Sequence, residues 1–143
     1  MKISLFLIAV LFGTMVWSQL IQVDTLPVYH GCHRKDSNEK LKSCFRDKLI
    51  YELRDLYSLN RDEFQKEIKK NHKVIIYFTV SRDGTVKDFS YTEDSNPFIA
   101  VKVLKRLNEV FKHQNNKGNF IKPATYKGKL VNYKFTIDLS QDK

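Results

Sequence analysis

The chain has 143 residues, of which 29% are charged and 42% apolar, with a formal net charge of +9. That length fits one domain with a core of its own, and that mixture excludes an intrinsically disordered chain. The charge either favours acidic partners, an anionic envelope surface or an acidic protein face, or simply keeps the surface solvated, and the export signal described next argues against nucleic acid.

Residues 1–18 read as a signal peptide. Lys2 precedes an apolar run from Ile3 to Phe12 that resumes at Met15, Val16 and Trp17. The run is shorter than the ~20 apolar residues of a spanning helix, and Ser18 supplies a small residue for cleavage before Gln19. The expected location is the periplasm or the exterior, with an uncleaved inner-membrane anchor as the alternative. No cysteine directly follows the run to suggest a lipoprotein. Cys32 and Cys44 are the only two cysteines, and export makes a disulfide the expected state.

Residues 19–40 read as an extended lead-in, with Pro27 holding Leu26 extended, and then a polar loop from Tyr29 to Lys40. Residues 41–143 read as the α+β domain. Leu41, Phe45, Leu49, Leu53 and Leu56 form a helical stripe, capped by Asp36 or Ser37, with Asp36 and Glu39 resembling a capping box. A short helix from Glu63 to Lys70 follows, with Asp62 as cap, Gln65 reaching back, and Phe64 and Ile68 inward. His72 to Val80 is apolar on both alternating faces, which predicts a central, covered strand. Arg82-Asp83-Gly84-Thr85 turns the chain into a return strand from Val86 to Tyr91. The apolar positions Val86, Phe89 and Tyr91 change parity once, so a bulge is expected there.

Asn96 and Pro97 open the next helix, with Val101, Leu104, Leu107, Val110 and Phe111 as the expected buried stripe. Lys102, Lys105, Arg106 and Lys112 cover its outer side, and His113 to Asn119 reads as a polar loop. Val131, Tyr133, Phe135, Ile137 and Leu139 then alternate with Asn132, Lys134, Thr136 and Asp138 as a strand with one wet face. The predicted architecture is a small antiparallel three-stranded sheet with helices on one face. One or two helices precede its ββαβ core, the strand ending at Val80 is central, and the last strand lies at an edge.

The stretch from Val74 to Val80, the Asp83-Gly84 turn, the helix from Ile99 to Phe111, and Phe120, Pro123, Ala124, Gly128, Lys129 and Val131 leading into the last strand resemble the C-terminal domain of TonB-type energy transducers. The resemblance covers about half the chain, from His72 to Leu139. Upstream, Val28-Tyr29-His30-Gly31-Cys32 and Cys44-Phe45 look like the extension found in TonB-like proteins of the Bacteroidetes type. Two departures stand out. Tyr57-Ser58-Leu59 replaces the family's Tyr-Pro pair, and neither a clear membrane anchor nor a Pro-rich spacer is legible. The resemblance therefore implies the recognition domain rather than a full transducer. It implies that the last strand, Asn132, Tyr133, Lys134, Phe135, Thr136, Ile137 and Asp138, accepts a peptide of an outer-membrane transporter or other envelope protein as an added strand.

The competing reading makes Lys129, Lys134 and Asp138 charges that merely blunt a sheet edge, in an envelope-associated protein that uses the fold without transduction. A homodimer through the same edge is a further expectation. The residues suggest no catalytic group, cofactor or metal. His30, Cys32, His33 and Cys44 lack the spacing of a zinc finger. The carboxylates Asp83, Asp88, Glu93 and Asp94 fit turn chemistry, and His72 and His113 fit the surface. Lys66, Lys69, Lys70 and Lys73 near Tyr77 lack a stacking platform and read as a solvated face.

Overall fold

The computed structural model describes residues 23–140. The expected signal peptide lies outside the described residues. Among the described residues the fold is α+β, with three helices, a three-stranded antiparallel sheet and a separate two-stranded one.

Helix α1 spans Asn38–Leu59. The Ser37 hydroxyl accepts from the Lys40 N–H at 3.3 Å, so Ser37 is the cap, not Asp36. Its stripe of Leu41, Phe45, Leu49 and Leu53 is buried, and Leu56 is half-buried. The boundary expected at residue 40 falls inside this helix. Nor is the lead-in a loose approach to the domain. Leu26, Val28 and Leu41 form a small apolar cluster, and the Leu26 N–H donates to Asn38 Oδ1.

Helix α2, Arg61–Lys70, begins two residues earlier than expected. Asn60 stands between the two helices and makes no side-chain cap for α2; its Nδ2 instead donates back to Leu56 O at 2.8 Å. The shared residue turns the chain with almost no linker.

Strands β1 (Ile75–Val80) and β2 (Val86–Tyr91) form the hairpin. The register shifts between Tyr77 and Thr79, so Asp88 and Phe89 together oppose Phe78. Asp88 takes the positive φ of 57° that this bulge requires. The extra residue puts Val86, Phe89 and Tyr91 on the same core face, as their parity change implied.

Helix α3, Pro97–Asn116, is longer than expected and absorbs most of the anticipated loop. It ends when the Asn119 N–H bonds Gln114 O and the Gly118 N–H bonds Asn115 O, with Gly118 at φ +80°. This is the Schellman arrangement, in which glycine takes the left-handed position. The buried face is Ile99, Ala100, Val103, Leu107, Val110 and Phe111. Val101, expected inside, is 54% exposed.

The strand expected from Val131 to Leu139 is broken at Asn132, and a hairpin that was not expected precedes the break. Strands β3 (Ala124–Tyr126) and β4 (Lys129–Val131) make a short hairpin whose turn, Lys127-Gly128, has positive φ at both residues. The lead-in bonds to its flank through Thr25 with Thr125 and Val28 with Lys122. After Asn132 comes β5, Tyr133–Asp138, which pairs antiparallel with β1.

The sheet order is β2-β1-β5, so β1 is central and β5 lies at an edge. One face of β1, formed by Ile76, Phe78 and Val80, is fully buried. The other, formed by Ile75, Tyr77 and Thr79, is half-exposed rather than covered, because the helices all lie on one side. The core is aromatic. The tilted rings of Phe45 and Phe135 have centres 4.5 Å apart, and Phe78 lies between Phe111 at 5.5 Å and Phe135 at 5.4 Å. Contacts of this kind add to area burial by about 0.5–1.5 kcal/mol each.

Candidate functional site

The ladder between β1 and β5 decides which backbone groups remain available. The Leu139 N–H donates to Val74 O at 2.7 Å, and the register is continuous from there to Val80 with Tyr133. Antiparallel bonds alternate along a strand. The N–H and C=O groups of Tyr133, Phe135 and Ile137 therefore turn toward β1. Those of Lys134, Thr136 and Asp138 turn outward, and among the described residues they meet no backbone partner.

The candidate strand thus divides by role. Tyr133, Phe135 and Ile137 point into the core and hold the strand; Phe135 and Ile137 are buried, and Tyr133 is half-buried. Burial raises the Tyr133 hydroxyl above its ordinary pKa. Lys134, Thr136 and Asp138 carry the open margin. Asn132 is outside the strand, and its Oδ1 accepts from the Arg82 N–H at 2.9 Å, which fixes the hairpin turn beside the start of β5.

The charged side chains on this margin are folded away from it. Lys134 Nζ stands 4.5 Å from the centre of the Tyr77 ring, on the outer face of the sheet. The Asp138 carboxylate accepts from Ser140 N–H at 2.8 Å. Hydrogen bonds from the Ser140 side chain and backbone hold Asp138 below the ordinary carboxylate pKa, helped by the charges of Arg46 and Lys73.

Beside the C-terminal end of β5 lies a groove of about 330 Å³. Ile50, Leu53, Tyr57 and Leu139 give it apolar walls, and Arg46 and Arg54 from α1 flank it. These residues follow from helical spacing: Arg46, Ile50 and Arg54 are four apart and lie along the edge of the buried stripe. Nothing in the sequence alone marks these arginines as part of a groove. Only the passage of Leu139 alongside α1 makes them a site. The groove suits an apolar side chain with an acidic neighbour.

Cys32 and Cys44 form a disulfide, with Cα atoms 6.1 Å apart. Both sulfurs are thereby used, so the His30, Cys32, His33 and Cys44 set offers no thiolate for zinc. A disulfide is compatible with an exported chain. Among the described residues, no helix is long and apolar enough to cross a membrane, and no group of three or more His, Cys, Asp or Glu is placed to hold a metal.

The carboxylates of the hairpin region do not converge. Asp83 accepts from the Thr85 hydroxyl and N–H, which lowers its pKa. Asp88 sits in the bulge, and Asp94 pairs with Lys73 across the surface. Comparison with protein-family models, curated proteins and solved structures finds no match to this chain.

Proposed function

We propose that this chain is a protein-binding module of the periplasm or cell exterior that takes an extended segment of an envelope protein onto the free margin of β5. Outer-membrane transporters are the class of partner, as in the TonB C-terminal domains that the sequence resembles. The observation that carries the reading is the outward-facing backbone of Lys134, Thr136 and Asp138, which has three residues' worth of hydrogen-bonding capacity and charged side chains directed elsewhere. An added strand would complete those bonds and place alternate side chains toward the groove beside Arg46 and Arg54. The chain's positive charge would speed the encounter with an acidic segment.

The test uses overlapping synthetic 12-residue peptides from the periplasmic plug segments of outer-membrane transporters of the source cell. Binding is read by fluorescence anisotropy and by amide hydrogen exchange. A bound peptide should slow exchange at Lys134, Thr136 and Asp138 and leave Tyr133, Phe135 and Ile137 unchanged. Thr136→Pro removes an outward N–H without removing a ladder bond, so the fold should survive while affinity falls about ten-fold or more. If Thr136→Pro folds normally and binds the peptides as well as the wild type, strand addition at β5 is wrong. If no plug peptide binds, the transporter assignment is wrong.

A further inference from the structure

A second surface lies on α2 and α3, away from the open margin. Asn96 builds it. This residue is 2% exposed; its Oδ1 accepts from the Ile99 N–H, and its Nδ2 donates to Glu67 O at 3.0 Å and to Asn71 O at 2.9 Å. One side chain therefore caps α3 and clamps it to the end of α2. The outer sides of the two helices become one fixed face.

That face has an unusual composition. Phe98 and Val101, at 39% and 54% exposure, are large apolar residues on the side of α3 turned from the core. Lys102 and Lys105 continue the same stripe, at the three- and four-residue spacing of a helix. Lys102 Nζ lies 5.1 Å from the centre of the Phe98 ring. From α2, Lys66, Lys69 and Lys70 border the hollow that Phe98 closes. Three acids share the face, since Glu109 continues the α3 stripe four residues beyond Lys105. Glu67 is engaged by Lys70 and Asn96, which lower its pKa, and Glu63 stands at the margin. The lysines outnumber these acids.

We infer that this α2–α3 face docks the protein on an anionic phospholipid surface, with Phe98 and Val101 entering the headgroup layer and the lysines pairing with lipid phosphates. The shape favours a bilayer over an acidic protein. Phe98 and Val101 are exposed on α3 among five lysines of the two helices, and a bilayer yields around two isolated apolar tips that a protein partner would have to match. Apolar residues with flanking ammonium groups are the usual make-up of interfacial helices. The inference stands apart from strand addition, because α3 packs on β2 and β1 and leaves the β5 margin clear.

The test is co-sedimentation of the purified chain, always with the same N-terminus, with phosphatidylglycerol–phosphatidylcholine vesicles and with phosphatidylcholine alone. The wild type should bind the anionic vesicles and release them as salt rises. The triple variant Lys66→Glu, Lys69→Glu, Lys102→Glu should bind at least about a hundred-fold more weakly, since each lysine lost costs about five-fold and each new carboxylate is repelled as well. Phe98→Ser with Val101→Ser should lose about ten-fold or more while keeping the wild-type circular dichroism. A control triple with the same charge change, Lys117→Glu, Lys122→Glu, Lys129→Glu, should lose far less. Equal losses in the two triples would reduce the effect to net charge and overturn the inference. So would binding unchanged by the Phe98 and Val101 variant, or competition by inorganic phosphate beyond its ionic strength, which would mark a free-anion site.

Discussion

Gly84 and Gly118 allow a backbone cost to be separated from a packing cost. Both have nearly the same positive φ, +84° and +80°. A Cβ at Gly118 would meet nothing within 4 Å, whereas one at Gly84 would lie 2.6 Å from the Ile121 carbonyl oxygen. Gly118→Ala should therefore show the left-handed penalty alone, roughly 1–2 kcal/mol. Gly84→Ala should add the cost of moving a buried backbone segment, roughly a further 1–3 kcal/mol. Urea unfolding followed by circular dichroism measures both, with the m-value checked for constancy. At this chain length the pair should differ in melting temperature by roughly 5–10 °C. If the two variants differ by less than about 0.5 kcal/mol, the hairpin turn does not press on Ile121 as described, because two glycines with one φ cost and no further clash should be equivalent.

Replacing Cys32 and Cys44 together by Ala should cost about 3 kcal/mol on the chain-entropy account of their 12-residue separation, read by urea unfolding under oxidising conditions; a loss below about 1 kcal/mol would mean the bridge hardly restrains the unfolded chain. Tyr29 is 5% exposed, and burial, assisted by the Glu52 charge, pushes its hydroxyl up to about 12. A raised pKa means the native state holds the proton more tightly, so this contribution is complete below pH ~10 and is lost as pH rises from there through 12. Stability should fall by roughly 2–3 kcal/mol over that window, and a Tyr29→Phe variant should lack this part of the fall.

The sequence carried the sheet well, because its signals there are local. The parity change from Val86 to Phe89 announced the bulge, and the strict alternation of Tyr133 to Asp138 announced a strand with one wet side. Elsewhere the information is tertiary. The first turns of α3 offer Phe98, Ile99, Ala100, Val101, Val103 and Leu104, apolar almost all round, so periodicity cannot set the buried phase. The packing of α3 on α1 and the sheet chooses Ile99 and Val103 and leaves Val101 outside. The β3–β4 hairpin has strands of three residues, too short for alternation to register, and Lys127-Gly128 is a weaker turn signal than Asn-Gly. At the site, the strand was legible but the groove was not, since Arg46 and Arg54 acquire their setting from Leu139, about 90 residues away.

The lead-in and its bridge together decide how the molecule would answer a mechanical load. Tension applied ahead of Val23 would strip the bonds of Thr25 and Val28 from their partners one after another, as a zip opens. The peeling would halt at Cys32, where a covalent link passes the load to α1 at Cys44 and so to the aromatic core around Phe45. Extension before that stop is limited to roughly 30 Å, the reach of about nine residues drawn straight. A pull from that side would thus reach the body of the domain with the β5 margin and α1 still in place.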